Sequence, residues 1–490
     1  MTTSFPFVTR SMLLNVLLLF STFAFAAKDK VTIQGNIGAI TPPAEFQVGD
    51  ETIVCGPETI LTLKYDTKAV RLPFEAEAIH SGIKVTVNGK RDPVSKQIRA
   101  SSVVAIVYER LVDEISGTAL IEKPLSMAQT NAGWSGIIFA DGRKIKFTRF
   151  TKLEFVANKS ERAQAPGGPS SSIKSLSEVG PNVFVSYKGL PFQNGAIIAE
   201  ELVFVRNEDS PAKLKLRQEY EPQIVEPDYS AGTPGKLVVK PLNELSIASN
   251  RVLLAKSPGE LPIIPNKALQ DTVNEVGVRL VPAFQKSLPG ADPLKINFRF
   301  YVVETDKFAL HAVPSGVILV SVGMLSRLNN EAQLAAILAA DMALVVQQGI
   351  YSLTARAKTE NIATFGSLGA LLASSAAPPM VLPGEVLILH SAASSERLVI
   401  SIRQAGRLAL EYMLDAGYDP REAEKAFTSL GKKSKTDPRL RQGEREYYEI
   451  MAAATRDQLK DAYRDVNFGE LKTNTEEYER LHTQFRATTN

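Results

Sequence analysis

The chain has 490 residues, 44% of them hydrophobic and 22% charged, a balance that excludes disordered and collagen-like classes and leaves room for about three domains. Lys and Arg number 56 against 53 Asp and Glu, and a net charge of +3 supplies no basic field of the kind that holds nucleic acid. A single cysteine, Cys55, excludes an intrachain disulfide and a thiolate zinc cage; set between Val54 and Gly56 near a strand, it reads as a small buried hydrophobe.

Residues 1–26 carry one charge, Arg10, then an apolar run from Met12 to Phe20 broken only by Asn15, then small residues ending Ala24-Phe25-Ala26. That order is a cleaved secretory signal peptide with an A-x-A site. The competing reading is a membrane anchor, but the run falls short of the roughly 20 apolar residues that span a bilayer. The absence of a cysteine after the site excludes a lipid anchor there. The longer stretch from Ile362 to His390 is interrupted by Ser, Gly and three prolines. A periplasmic or secreted protein is expected.

From Val31 to about Arg206 the sequence consists of short alternating runs punctuated by Gly, Pro, Asn and Asp, as in small β barrels or sandwiches. It echoes itself. Gly82-Ile-Lys-Val-Thr-Val-Asn-Gly89 matches Asn182-Val-Phe-Val-Ser-Tyr-Lys-Gly189 in alternation and closing glycine, and each precedes a further strand, Val103 to Val107 and Leu202 to Val205. Ile33-Gln-Gly35 and Thr59-Ile-Leu61 are echoed by Ile115-Ser-Gly117 and Thr151-Lys-Leu153. We therefore expect one β-barrel unit twice, over 27–110 and 111–206. The unit resembles small bacterial barrel domains of unassigned function, a likeness that carries no chemical motif. Ala163 to Ser172 is a Gly, Pro and Ser loop within the second copy, and residues 207–240, charged and Pro-containing, read as a linker. Asn158-Lys-Ser160 fits the glycosylation pattern without further meaning, and Trp134 reads as a core or rim aromatic.

Residues 241–455 change to a helical pattern, with 456–490 as a C-terminal tail. A helix is expected over Ala268 to Leu288, strands over Ile296 to Glu304 and Val317 to Val322, and helices over Ser394 to Ala416 and Pro420 to Leu430. Between them Asn330 can cap a helix, Gln333 can reach back to the cap, and Gly349 can end it. Every residue from Leu334 to Val346 is apolar except Asp341, so this helix must be buried on nearly all sides. The fold class is then multidomain: two N-terminal all-β small barrels followed by a mainly helical α+β domain.

That domain resembles the zinc metallopeptidases of the HtpX, CAAX prenyl protease and BepA type, HExxH gluzincins. The likeness rests on Phe298-Arg-Phe-Tyr-Val-Val303, Pro314-Ser-Gly-Val-Ile-Leu-Val320, Gly323-Met-Leu325, Asn330-Glu-Ala-Gln-Leu-Ala-Ala-Ile-Leu338 and Arg407-Leu-Ala-Leu-Glu-Tyr-Met-Leu-Asp-Ala-Gly-Tyr-Asp-Pro420, and covers about Pro241 to Met451. The resemblance implies two histidine ligands one helical turn apart, an intervening glutamate base and a third, glutamate ligand on a later helix. Here those positions hold Ala340, Asp341, Leu344 and Gln404, and HExxH is replaced by Ala340-Asp341-Met342-Ala343-Leu344. Methyl and isobutyl groups cannot ligate zinc, and a neutral amide is a poor zinc donor. No catalytic residue is retained and no zinc or other cofactor is expected.

His311, before the strand that precedes this helix, and His390, in the loop after it, hold no ligand spacing and read as unrelated; His80 and His482 lie outside the domain's motifs. Asp341 reads either as a base without a metal or as a buried acid that needs a partner. Arg407, three residues beyond Gln404, is the expected partner, with Arg403 as the alternative. Gly366 to Met380, where the family has mobile segments over its cleft, either lines a groove or merely connects.

The expected function is that of an exported pseudopeptidase binding a polypeptide or envelope protein by strand addition, in envelope protein quality control. Nucleic acid is not expected as a partner, peripheral membrane contact stays open, and the oligomeric state is not legible. Two rivals stand: an active zinc metalloendopeptidase with an unorthodox site, and a ligand-binding or adhesion module carried by the barrel pair.

Overall fold

The structure, a computed structural model, describes residues 30–66, 68–108, 114–123, 126–130, 133–156, 175–181, 183–207, 218, 221–238, 243–248, 251–256, 260–305, 311–312, 315–347, 392–436, 442–464 and 466–489. The expected signal peptide, the Ala163 to Ser172 loop, Asn158, Gly349, Gly366 to Met380 and His390 lie outside the described residues, as does the side chain of His311.

Alternating apolar residues build the first sheet from β1 (Lys30–Thr41), β2 (Glu45–Val48), β3 (Glu51–Tyr65), β4 (Lys68–Pro73), β5 (Lys84–Arg91) and β6 (Ile98–Tyr108). β1 pairs with β2 and β5, β5 with β6, β6 in parallel with β3, and β3 with β2, so five strands close into a barrel with β4 hung on β3. Ile53, Leu61, Leu63, Val85, Val87 and Val103 point into its core, and Cys55 is buried with them. Burial pushes the Cys55 thiol up to about 12, as suits a hydrophobe rather than a nucleophile.

β7 (Ile115–Leu120), β8 (Ser126–Thr130), β9 (Gly133–Ala140), β10 (Arg143–Phe147), β11 (Lys152–Val156), β12 (Val183–Pro191) and β13 (Ile197–Arg206) form a second sheet in the order β7-β12-β13-β10-β9-β8, with β11 also on β13. Its details repeat those of the first. β3 runs parallel to β6 with a shift between Cys55 and Ile60, and there the Thr59 hydroxyl donates to the Ala100 carbonyl at 2.7 Å and accepts from the Gly56 N–H. β10 and β11 run parallel to β13 on either side of a similar break. There the Thr151 hydroxyl donates to the Ala199 carbonyl at 2.8 Å and accepts from the Thr148 N–H.

Gly89 and Gly189 sit at matching bulges, where a Cβ would lie 2.4 Å from the Arg99 oxygen and 2.3 Å from the Ile198 oxygen. The sequence echoes mark these two devices. The equivalence also predicts like responses: Gly89→Ala and Gly189→Ala should each cost about 1–3 kcal/mol, seen as a lowered midpoint in thermal unfolding followed by circular dichroism.

The C-terminal part begins earlier than expected. β14 (Gln223–Val225) and β15 (Gly235–Val238) lie within the predicted linker but belong to a third sheet. After the hairpin β16 (Asn243–Ala248) and β17 (Arg251–Lys256), that sheet continues with β18 (Glu260–Ile263), then, beyond helices α1 (Lys267–Leu280) and α2 (Ala283–Ser287), with β19 (Arg299–Val303), β20 (His311–Ala312) and β21 (Val317–Ser321), in the order β14-β15-β18-β19-β21-β20. The short turn α3 (Val322–Leu325) leads to α4 (Glu331–Val346), followed by α5 (Ala392–Asp415), α6 (Arg421–Thr436), α7 (Gln442–Asp461) and α8 (Glu476–Thr489).

The chain therefore combines a closed barrel and further sheets with a helical C-terminal region. Within the expected tail, Tyr478 and Leu481 of α8 are buried, and the Thr473 carbonyl accepts the Ala332 N–H.

Candidate functional site

The sequence turns on α4, and the structure buries all of its residues from Glu331 to Val346. Its N-terminus is fastened by a cap displaced by one residue from the expected box. Asn330 Oδ1 accepts the Gln333 N–H at 2.9 Å, while Gln333 Oε1 accepts the Asn329 N–H rather than that of Asn330. The Asn330 and Gln333 amides both donate to Glu422 of α6 at 2.9 Å. Glu331, buried in the first turn where the helix dipole favours a negative charge, accepts from the Tyr418 hydroxyl at 2.6 Å.

The other end is fastened to the second sheet. Gln347 closes α4, and its amide oxygen accepts the Leu120 N–H of β7 at 2.7 Å while its nitrogen donates to Glu122 Oε1. Leu120 is buried in the same apolar cluster as Ala340 and Leu344. Gln404 of α5 donates toward Gln347 Oε1 at 3.4 Å and the Thr118 carbonyl at 3.5 Å, both long contacts. Residues 340, 344 and 347 share one face of α4 by helical spacing, so the structure does bring position 404 to the face that holds Ala340 and Leu344.

The side chains gathered there do not fit a zinc ion. Ala340 and Leu344 are fully buried hydrocarbon, and the Gln404 amide is directed at a glutamine and a peptide carbonyl. Among the described residues no cluster of three or more His, Cys, Asp or Glu could hold a metal.

Asp341 is buried, but its expected ion pair is not formed. Neither carboxyl oxygen has a hydrogen-bond partner among the described residues, and burial holds its pKa well above the carboxylate range. It faces Tyr447 of α7, whose hydroxyl is likewise unpartnered among the described residues.

Arg407 turns instead to the second sheet. Its Nε donates to the Asp141 carbonyl at 2.9 Å and its guanidinium holds the Asp141 carboxylate, which also accepts from the Tyr187 hydroxyl. Arg403 is exposed. The reason is geometric: Ile402, Ala405, Leu408 and Ala409 fill the buried faces of α5, which leaves Arg407 facing the β9–β10 turn. Asp141 and Gly142 both have positive φ in that turn, and a Cβ on Gly142 would lie 2.7 Å from Arg407 Cβ.

Sequence reasoning missed Asp141, Glu122, Gln347 and Tyr412. The Asp141-Gly142 pair between alternating runs was a readable hairpin signal, whereas no local pattern marks the other three.

Two outcomes follow. A carboxyl with a raised folded pKa keeps its proton in the folded chain and loses it in the unfolded chain, so its burden on stability is absent at low pH and grows as pH rises above the unfolded value. Asp341→Asn should therefore match the wild type near pH 4 and exceed it at pH 8. The gain should be up to about 1.4 kcal/mol for each pH unit between them, read as a widening difference in melting temperature. Arg407→Ala, which strands Asp141 in a buried contact, should cost about 3–5 kcal/mol in thermal or urea unfolding.

No family profile matches the chain. Over 168 residues it is 24% identical to the Beta-barrel assembly-enhancing protease of Escherichia coli (strain K12), covering 33% of this chain and 32% of that protein, and equally to its namesake in Shigella flexneri. The namesake in Yersinia pestis is 25% identical over 184 residues, covering 36% of this chain and 35% of that protein. The match spans about a third of the length of these curated relatives. The chain is thus distantly similar to a peptidase family.

Proposed function

We propose that this protein is a pseudopeptidase: an exported relative of the zinc metallopeptidases that has lost the metal and binds polypeptide or envelope-protein partners without cleaving them. One observation carries the reading. The three positions that the family resemblance assigns to zinc hold Ala340, Leu344 and Gln404, and the helix face they share is packed against the chain's own Leu120 and joined to it through Gln347. A water molecule cannot be activated by hydrocarbon, and burial raises the Asp341 pKa well above its ordinary value in a pocket where it finds no partner among the described residues.

Export is supported by the ordering of residues 1–26, and the two β units read as copies of one small barrel ahead of a metallopeptidase-like domain. Binding without chemistry needs only main-chain hydrogen bonds and apolar pockets. The third sheet ends at β14 on one side and β20 on the other.

The full chain, incubated with casein at neutral pH with added zinc and again with a chelator, should leave casein intact in both. Cleavage that requires zinc and stops with the chelator would make it a working endopeptidase and remove the proposal.

A further inference from the structure

A groove of about 800 Å³ runs along the seam between the second sheet and the helices. Its wall is apolar, made by Leu280, Val281, Pro282, Phe284 and Leu288 at the α1–α2 corner with Pro181 opposite. Glu122, which follows β7, and Tyr412 of α5 also line it.

Glu122 is 5% exposed, and both of its side-chain hydrogen bonds fall on Oε1, from the Tyr412 hydroxyl at 2.8 Å and from the Gln347 amide. Among the described residues Oε2 has no hydrogen bond, in a side chain that faces the groove. The charges around it are otherwise matched. Lys123 is held by Glu411 and Asp415 of α5, and Lys144 acts on Glu411. Arg279 is engaged by Tyr418 and Glu331. Lys286 donates to the Arg279 carbonyl. Lys123, which also lines the groove, acts on Glu122 but is bound to Glu411 and Asp415, so Glu122 Oε2 meets no donor among the described residues at the foot of an apolar groove, where a few convergent polar groups define a binding site.

From this geometry we infer that the groove receives an apolar polypeptide segment carrying a lysine, whose ammonium meets Glu122 Oε2 while its methylene stem lies along the α1–α2 wall. The inference rests on the polypeptide-binding reading and gives it a site. Burial pushes the Glu122 carboxyl up to about 7, helped by the nearby Glu411 and against the pull of Tyr412, Gln347 and Lys123. The carboxylate that would receive the ammonium is therefore formed over the pH range 6–8, where lysine stays charged.

The test uses the full chain and two fluorescein-labelled capped peptides, Leu-Leu-Lys-Leu-Leu and its norleucine counterpart, with affinity read by fluorescence anisotropy at pH 6 and pH 8. The lysine peptide should bind about tenfold more tightly at pH 8, because a carboxyl titrating near 7 passes from about one-tenth to nine-tenths ionised. The norleucine peptide should bind weakly and alike at both values, and Glu122→Gln should bring the lysine peptide to that level. The comparison of the two peptides on the wild-type chain stands even if the variant folds poorly. Lysine-peptide binding that ignores both pH and Glu122→Gln would overturn the groove and leave polypeptide binding in place. No binding of either peptide would overturn both.

Discussion

A helix that shows hydrocarbon on every side persists in water only if every side is covered. That condition on α4 organises the C-terminal part of this protein. α1, α5 and α6 pack on it, β20 and β21 approach it, and one remaining place is taken by Leu120 from the second sheet, which enters the same buried cluster as Ala340 and Leu344. The N-terminal and C-terminal parts of the chain are therefore joined by the burial of one helix rather than by a surface contact alone.

Polar groups fix how the covering elements meet. At the start of α4, Glu331 and Glu422 gather donors from α1, from the α4 cap and first turn, from the α5–α6 corner and from Thr475 in the loop before α8, all close to the positive end of the helix dipole. At its end Gln347 bonds the backbone of Leu120 and the carboxyl of Glu122, while Arg407 and Asp141 lock a glycine-bearing turn onto α5. Most of these groups are buried and hydrogen-bonded, so they specify position as well as contributing energy. Asp341 has neither carboxyl oxygen hydrogen-bonded among the described residues, and burial raises its pKa well above the ordinary carboxylate value. A buried acid left in an apolar helix costs stability.

Local pattern was enough to place much of this. The apolar run of α4 and its Asn330 cap, the strand at Val317–Ser321, and the threonine and glycine devices at Thr59, Thr151, Gly89 and Gly189 are all written in neighbouring residues, and the structure has them where the pattern puts them. Long-range pairing was not legible. Helical spacing puts Arg407 on the face of Gln404 and so toward Asp341, whereas its partner lies 266 residues away in sequence. Gln347 and Glu122 meet across 225 residues for the same reason. β14 and β15 fall within the expected linker because runs of three and four residues between prolines are too short for alternation to register. α8 looked like a tail because its burial is owed to Tyr478 and Leu481 alone among its described apolar side chains.

The proposed loss of the metal depends on Ala340, Leu344 and Gln404 offering no ligand set to zinc where α4 meets α5. It is tested most directly by elemental analysis of the full chain, purified without chelators and dialysed against zinc. The account requires zinc far below one atom per chain, with Ala340, Leu344 and Gln404 as found here. One tightly held zinc per chain, lost on Gln404→Ala, would contradict it.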